Sequence, residues 1–534
     1  NAMLGTSLTS RKYNWSSVAV EGKTIVYKVE DGQLQQGEKG AGFLDSSFAT
    51  IGAGAGGTFS GDGSCWKYNR ASFFGRLNYN FNDRYLFQFT FREDGSSKFG
   101  ADSRWGFFPS VAVGWRISEE PFFPKNSVVS NLKFRASWGQ LGNENALGYY
   151  DFLALISTYN DLYQGYVQGT GASAWAGSIA RGLENRSLKW ETTDTKNIGF
   201  DFGFFNNHLS GNVNYYINET RDLLITRKLA PSAGLANPTL NVGKMRNQGF
   251  ELELNWNDKV SDFEYNVGFN LSTVANKVVS LANENQTIYG MGLKYGSEHF
   301  PTQTKVGKPI GAFYLYQADG IFQNMDEVNA HVNKDGELLQ PNAKPGDMRF
   351  KDMNGDGVID EDDKVYSGSG IAKVEANLNL SASYKGLDFS AVIGSAFGNK
   401  IYNGIRYYYE GMNSASNFLS STLDAWTPEH TNTSVPRAIY GDPNDNTRES
   451  TRFLENGDFV RLRQVQLGYT LPKSWVKKIY CDRIRFYVSA ENVFTITGYS
   501  GANPEFSMGV LNSGIDRFTY PFSRSYTVGA QVSF

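Results

Sequence analysis

Cysteine is almost absent from these 534 residues: Cys65 and Cys481 are the only two. That excludes a disulfide scaffold and a thiolate metal cluster. It leaves open either one bridge in an oxidising compartment or two separate thiols. The four histidines, His208, His299, His331 and His430, stand at no ligand spacing. No apolar run approaches the roughly 18 residues that a membrane helix requires, and mean hydropathy is −0.41. Charge of one sign is also missing. Lys and Arg number 51 against 54 Asp and Glu, a net −3, and the absence of a basic patch excludes nucleic acid as a partner. Catalytic signatures are lacking too. There is no Ser-centred nucleophile elbow and no H-E-x-x-H. The G-x-G-x-x-G within Ile51–Gly57 has no helix pattern after it and reads as a glycine-rich loop. Gly307-Lys308-Pro309 is no phosphate loop, and no carboxylate pair is marked out for glycoside hydrolysis. The chain is expected not to be an enzyme. No secretory signal opens it, and Asn1-Ala2-Met3 reads as a two-residue scar before a methionine.

What is abundant is aromatic residues, 15% of the chain, with 57 glycines, and a period-two pattern. In Arg524–Phe534 the apolar side chains Tyr526, Val528, Ala530, Val532 and Phe534 alternate with small or polar ones. This describes a strand with one apolar and one wet face. An aromatic on the apolar face at the last position suits a bacterial outer-membrane barrel better than a soluble domain, and this stripe is expected to be an insertion signal. The alternation recurs at Leu77–Phe81, Tyr85–Phe91, Val111–Ile117, Leu132–Trp138, Ile198–Phe204, Leu209–Ile217, Phe250–Trp256, Phe263–Leu271, Leu378–Tyr384, Leu387–Ile393, Val465–Tyr469 and Ile484–Val488. That gives about 13 strands, or 14 with Ser47–Phe59. Asn82-Asp83 and Lys385-Gly386 are tight hairpin turns.

Short and long connections alternate along the chain. Outer-membrane barrels keep short turns on the periplasmic rim and long loops outside, which places Phe534 on the periplasmic rim. The expected fold is therefore all-β: an antiparallel up-and-down transmembrane barrel, partial, with long extracellular loops. Residues 1–69 form an N-terminal segment of scar, loop and early strand, and residues 70–534 the barrel. The competing fold is a soluble β-sandwich, propeller or adhesin. It accounts for the alternation but not for one-sided long loops combined with so aromatic a face.

One loop carries a metal-binding pattern. Asp352, Asn354, Asp356, the Val358 carbonyl, Asp360 and Asp363 occupy positions 1, 3, 5, 7, 9 and 12 of an EF-hand-like calcium loop, with Gly357 at position 6. Asp363 is shorter than the usual Glu. Lys344-Pro345-Gly346-Asp347 cannot form an entering helix. A structural Ca2+ that stiffens a long loop is expected, the alternative being a solvated acidic turn. Tyr407-Tyr408-Tyr409 either stack on sugar rings or pack loop against loop.

Several segments together resemble the SusC/RagA-type TonB-dependent outer-membrane transporters of Bacteroidetes. They are Gly75–Tyr79, Phe91–Phe99, Trp105–Ser110, Gly114–Glu120, Leu132–Gly139, Asn247–Glu251, Pro345–Asp363, Glu491–Phe494 and Tyr520-Pro521. The resemblance covers roughly residues 70–534. It implies a 22-stranded barrel around a plug energised by the TonB complex, a SusD-like surface lipoprotein over the mouth, contact with outer-membrane lipid and the barrel assembly machinery, and cargo of glycan oligomers or peptides. This sequence shows no plug, no TonB box and too few strands, so it resembles the C-terminal barrel portion, and TonB coupling would act through a plug absent from this chain. The expected function is the barrel part of a nutrient importer in the bacterial outer membrane. The alternative is a soluble calcium-stabilised surface adhesin or glycan-binding β-protein. On the barrel reading the final strand is an open edge. It is expected to close non-natively, to pair with another chain or to be poorly ordered.

Overall fold

The computed structural model describes the chain except residues 22, 31–32, 42–57, 125–127, 155, 160–165, 168–173, 176, 181, 227–231, 233, 236, 284, 294–298 and 413–416. One antiparallel sheet dominates it. Fourteen strands follow one another in chain order: β1 (Ala2–Glu21), β2 (Thr58–Phe81), β3 (Tyr85–Ser96), β4 (Trp105–Arg116), β5 (Val129–Asn143), β6 (Glu191–Phe204) and β7 (Leu209–Arg221). They continue with β8 (Lys244–Val260), β9 (Phe263–Thr273), β10 (Val374–Tyr384), β11 (Leu387–Phe397), β12 (Phe459–Thr470), β13 (Arg483–Thr497) and β14 (Ser525–Ser533). The short strand Ala275–Ser280 adds to β8 as the fifteenth member.

The register shows why this sequence makes this sheet. Across β9 to β14 the residues Tyr265, Ala382, Phe389, Leu467, Val488 and Val528 are successive partners. The next row on the other face reads Asn266, Ser381, Ser390, Gln466, Ser489 and Thr527. A slip of one residue on any strand would exchange these faces. The apolar row is left bare: Val528 is 84% exposed and Val488 49%. An apolar face running across this many strands far exceeds what a water-soluble surface carries and matches a wall that meets lipid.

Hairpin chemistry sets the short rim. Asn82 and Asp83 both take positive φ, 52° and 53°, as do Lys385 and Gly386 at 46° and 89°, the backbone that two-residue turns with the right twist demand. Short connections (82–84, 117–128, 205–208, 261–262, 385–386, 471–482) gather on this rim. The opposite rim carries the described parts of the longer connections, those between β1 and β2, β3 and β4, β5 and β6, β7 and β8, β9 and β10, β11 and β12, and β13 and β14. The Asp482 N–H donates to the Ser533 carbonyl at 2.8 Å, fixing the end of β14 to the short rim.

The structure adds a strand at Ala2–Glu21 that the alternation did not mark. Of Ser47–Phe59, residues 47–57 lie outside the described residues, and Thr58 and Phe59 open β2. Ala2 and Met3 pair in register with Leu77 and Arg76. The outward positions Ala2, Leu4, Thr6, Leu8 and Ser10 alternate too weakly in hydrophobicity to read as a strand. The sheet path is open, and among the described residues β1 and β14 each have one strand neighbour. β14 is nonetheless ordered and in register with β13.

The packed core lies in the loops. Leu293, Phe313, Leu315, Tyr402, Tyr407, Phe453 and Ile515 form one cluster. Tyr316, Ile321, Met348, Phe350 and Trp426 form a second. Both draw on the connections 274–373 and 398–458, and the first also on 498–524. A smaller cluster, Phe99, Phe108, Leu147, Leu188 and Trp190, seals the loops around β3 to β6. No described helix is long and apolar enough to cross a membrane.

The two-faced register makes a direct prediction for the protein folded in lipid vesicles. Leu380→Arg, on the lipid side near mid-band, should lose about 2–4 kcal/mol of stability in urea unfolding. Ser381→Arg, one residue on and facing the wall, should lose under about 1 kcal/mol, in the range of ordinary exposed substitutions. Equal losses would refute the assignment of faces.

Candidate functional site

The wet face of the sheet is a wall of amides and hydroxyls. Asn197, Asn212, Asn214, Asn255, Asn266, Asn270, Asn377 and Asn379 all project from it by register. Its charges are mostly tied to one another across strands. Arg135 on β5 donates to Asp201 on β6 at 2.8 Å and to Asn214 on β7 at 3.0 Å. Arg92 and Arg70 flank Asp94 at 2.7 and 3.3 Å. Depressions pit this wall, among them one of about 610 Å³ lined by Asn266, Ser381, Ser383 and Ser390. Another of about 610 Å³ near the short rim is lined by Asn78, Asn80, Gln88, Lys133, Arg135 and Asn197. One of about 530 Å³ nearer the loops is lined by Arg70, Thr90, Arg92, Asp94, Ser137 and Thr195. Such a surface offers many neutral donors and acceptors and few unpaired charges, so it can pass polar uncharged groups without holding them tightly.

Above the wall, the two longest loops are locked together by buried ion pairs. Asp347, fully buried, takes both guanidinium arms of Arg437 at 2.7 and 3.0 Å and a 3.0 Å bond from Asn446. Glu410 accepts from Arg406 at 2.9 Å and Arg452 at 3.1 Å. Lys364 pairs with Glu449, their side chains 1% and 2% exposed. Burial pushes the Arg452 guanidinium down to about 10 against the pull of Glu410. Burial, reinforced by Glu449, raises the Tyr407 phenol well above its ordinary value. The Asp347–Arg437 and Lys364–Glu449 pairs join the two loops across stretches of chain 90 and 85 residues long and are set too deep to be screened, while the Glu410 pairs brace the loop 398–458 from within.

The acidic loop belongs to this lobe, within the connection 274–373. Asp352 accepts from the N–H groups of Gly355 at 2.6 Å and Gly357 at 2.9 Å. Asn354 accepts from Asp356 N–H, Asp356 from Val358 N–H and Asp360 from Asp362 N–H, each at 2.9 Å. Asp363, fully buried, accepts from Met353 at 2.6 Å and Asp360 at 2.8 Å. Gly357 stands at φ 92°, the turn that position 6 requires. Desolvation raises the Asp352 carboxyl, but the N–H groups of Gly357, Gly355 and Asp356 outweigh it and hold it below the usual range. No helix leads in: the segment before the loop is the strand Met348–Phe350, and the helix Met325–Ala330 stands well upstream. Among the described residues no three His, Cys, Asp or Glu side chains are gathered as a metal site. As placed, these oxygens serve the backbone, and a cation would have to draw them off it.

Other sequence candidates are resolved by placement. Tyr407 is buried in the first cluster, Tyr408 donates to the Leu293 carbonyl, and Tyr408 and Tyr409 both meet Phe518. The three tyrosines pack loop against loop. Cys65 is exposed on β2 and Cys481 buried at the short rim, both free. The histidines do not converge: His299 bonds Tyr407 at 2.8 Å, His331 the Phe350 carbonyl, His208 the Asn257 carbonyl and His430 Asp424. Ile51–Gly57 lies outside the described residues. The stripe Tyr526, Val528, Ala530, Val532, Phe534 faces outward and is exposed. The Asp347–Arg437 and Lys364–Glu449 pairs had no signal in the sequence, because their partners stand at no local spacing.

Breaking one lock should be costly. Lys364→Met leaves the buried Glu449 carboxylate without its ammonium partner and should lower the stability of the lobe by about 3–5 kcal/mol. Lys364→Met combined with Glu449→Leu should recover most of that, measured by differential scanning fluorimetry. A double variant no better than the single one would refute the pairing.

Comparison with known proteins agrees with this geometry. A family model described as TonB dependent receptor-like, beta-barrel matches residues 10–493. TonB-dependent receptor P3 of Formosa agariphila is 31% identical over 473 residues, which is 87% of this chain and 45% of that protein. TonB-dependent receptor SusC of Bacteroides thetaiotaomicron is 32% identical over 470 residues, 87% of this chain and 43% of its own length. The solved structure of the RagAB peptide transporter covers 100% of this chain with a TM-score of 0.77 and 24% identity, a likeness of fold. It is itself covered to 56%, and this chain spans about half the length of the curated relatives it matches. With its alternating faces, one-sided loops and match over most of its residues, the chain belongs to the TonB-dependent receptor β-barrel family of the bacterial outer membrane.

Proposed function

We propose that this chain is the barrel portion of a nutrient importer that passes glycan oligomers or peptides inward. The observation that carries this is the pairing of an amide- and hydroxyl-rich wall with an ion-pair-locked loop lobe on a single rim. Oligosaccharides and peptide backbones present the neutral donors and acceptors that such a wall can exchange with. The reading includes a SusD-like surface lipoprotein seated on the lobe and TonB coupling through a plug in the longer protein. It also has strands of that protein meeting the open edges of β1 and β14, since an unpaired edge has no place in lipid. Tyr526, Val528, Ala530, Val532 and Phe534 serve as the stripe that the barrel assembly machinery recognises.

The test uses the whole protein in its own cells. Deleting the gene should abolish uptake of either a fluorescent oligosaccharide or a fluorescent oligopeptide, restoring it should bring uptake back, and a protonophore should block it. Uptake of both probes that survives deletion would overturn the reading.

The loop 352–363 enters this function as a structural calcium site, supported by its spacing and by Gly357. Calcium should raise the melting temperature of the protein by a few degrees over chelator, and Asp356→Ala should remove the difference. Identical melting in both buffers would eliminate the ion.

A further inference from the structure

The lipid-facing side of the sheet is not apolar all the way to the loop rim. On β8, the outward positions Phe250, Leu252, Leu254 and Trp256 give way to Gln248, Arg246 and Lys244. On β6, Phe204, Phe202, Phe200 and Ile198 give way to Lys196 and Asp194. On β7, Ile217 is followed by Glu219 and Arg221. Register aligns these changes. Asp194, Glu219, Arg246 and Lys277 are successive partners in one row. Arg221 and Lys244 pair in the row above, and Lys196 lies in the row below, opposite Trp138 and Ile217.

The patch therefore holds five cations, Lys196, Arg221, Lys244, Arg246 and Lys277, against two carboxylates. The carboxylates are the recessed members. Asp194 and Glu219 are 15% and 20% exposed, while Arg221, Arg246 and Lys244 are 45%, 44% and 33% exposed. Arg221 rests on Asp194 at 2.6 Å, and Lys244 and Arg246 on Glu219 at 2.7 and 2.8 Å. Lys196 and Lys277 are exposed beside them. Two acids thus space and orient the cations and leave an outward-facing excess of positive charge.

Height decides what meets it. From Trp256 to Arg246 is about ten residues, or ~33 Å of strand. At a tilt of ~40° this is about 25 Å along the membrane normal, the height of a barrel's apolar band. The patch lies where acyl chains end and headgroups begin, on the loop side. Trp138, an amphipathic ring at the same level, is a usual companion of that boundary.

We infer that this patch on β6, β7, β8 and Ala275–Ser280 binds the phosphate groups of lipid headgroups in the leaflet on the loop side. Guanidinium and ammonium groups held at spacings set by Asp194 and Glu219 match phosphate oxygens in charge and donor geometry, and Lys196 reaches up to the same level along its aliphatic stem. The attached acyl chains lie against the apolar band below, so a membrane lipid satisfies both halves of the surface at once, which a free anion does not.

The experiment is native mass spectrometry of the full chain in detergent with dioleoyl phosphatidic acid as the probe and dioleoylglycerol as the phosphate-free comparison. Phosphatidic acid adducts should dominate. Arg246→Gln with Lys277→Gln should weaken them at least about tenfold, given the contribution of a basic residue at an anionic membrane surface. Lys259→Gln with Lys385→Gln removes two exposed cations on the short rim and should leave binding unchanged. Lys196→Gln alone should give a smaller loss in the same direction, and it decides the matter if the double variant fails to fold. Equal losses from both double variants, no loss from Arg246→Gln with Lys277→Gln, adducts as frequent with dioleoylglycerol, or full displacement by millimolar inorganic phosphate would each overturn the proposal.

Discussion

Everything in this protein follows from the absence of water in the bilayer interior. A backbone there must bond to itself, so the chain must run as a continuous antiparallel ladder. Because side chains on a strand alternate, one face of that ladder must suit lipid and the other may stay wet. The rows from Tyr265 to Val528 and from Asn266 to Thr527 are that constraint written into residues. It also gives a reason for apolar side chains such as Val488 and Val528 to be so exposed: an outer-membrane barrel turns such a face toward acyl chains.

A sheet wet on one face and lipid-coated on the other builds little core of its own. The packing that a soluble protein would place between layers appears in the loops, where Phe313, Tyr402, Phe453 and Ile515 are almost wholly buried. Long connections exposed to water must form such a core or stay loose, and here ion pairs sealed from solvent hold it in one arrangement. Lys364–Glu449 and Asp347–Arg437 each tie the connection 274–373 to 398–458. Losing either partner strands a charge where water cannot reach it, so the arrangement is enforced by the penalty for leaving it. The result is a roof of packed loops over a polar wall.

The border between membrane and water is drawn on the sheet itself. Apolar side chains end and cations begin at one height on β6, β7 and β8, and the recessed Asp194 and Glu219 keep those cations facing outward.

The sequence by itself determined the strands, their faces, their short turns and the rim on which the loops gather, because each depends only on residues two apart or on a local turn. It missed β1, whose outward positions Ala2, Thr6 and Ser10 are too small or polar to show the period. It marked Asp352–Asp363 as a special loop, but the bonds from those oxygens to backbone N–H groups became visible only in three dimensions. Whether Tyr407 faced sugar or its own neighbours, whether Cys65 could reach Cys481, and which carboxylate met Lys364 were decided by tertiary structure alone. Those contacts join residues tens to hundreds of positions apart, set by how three loops pack on one another, and no local pattern encodes that distance.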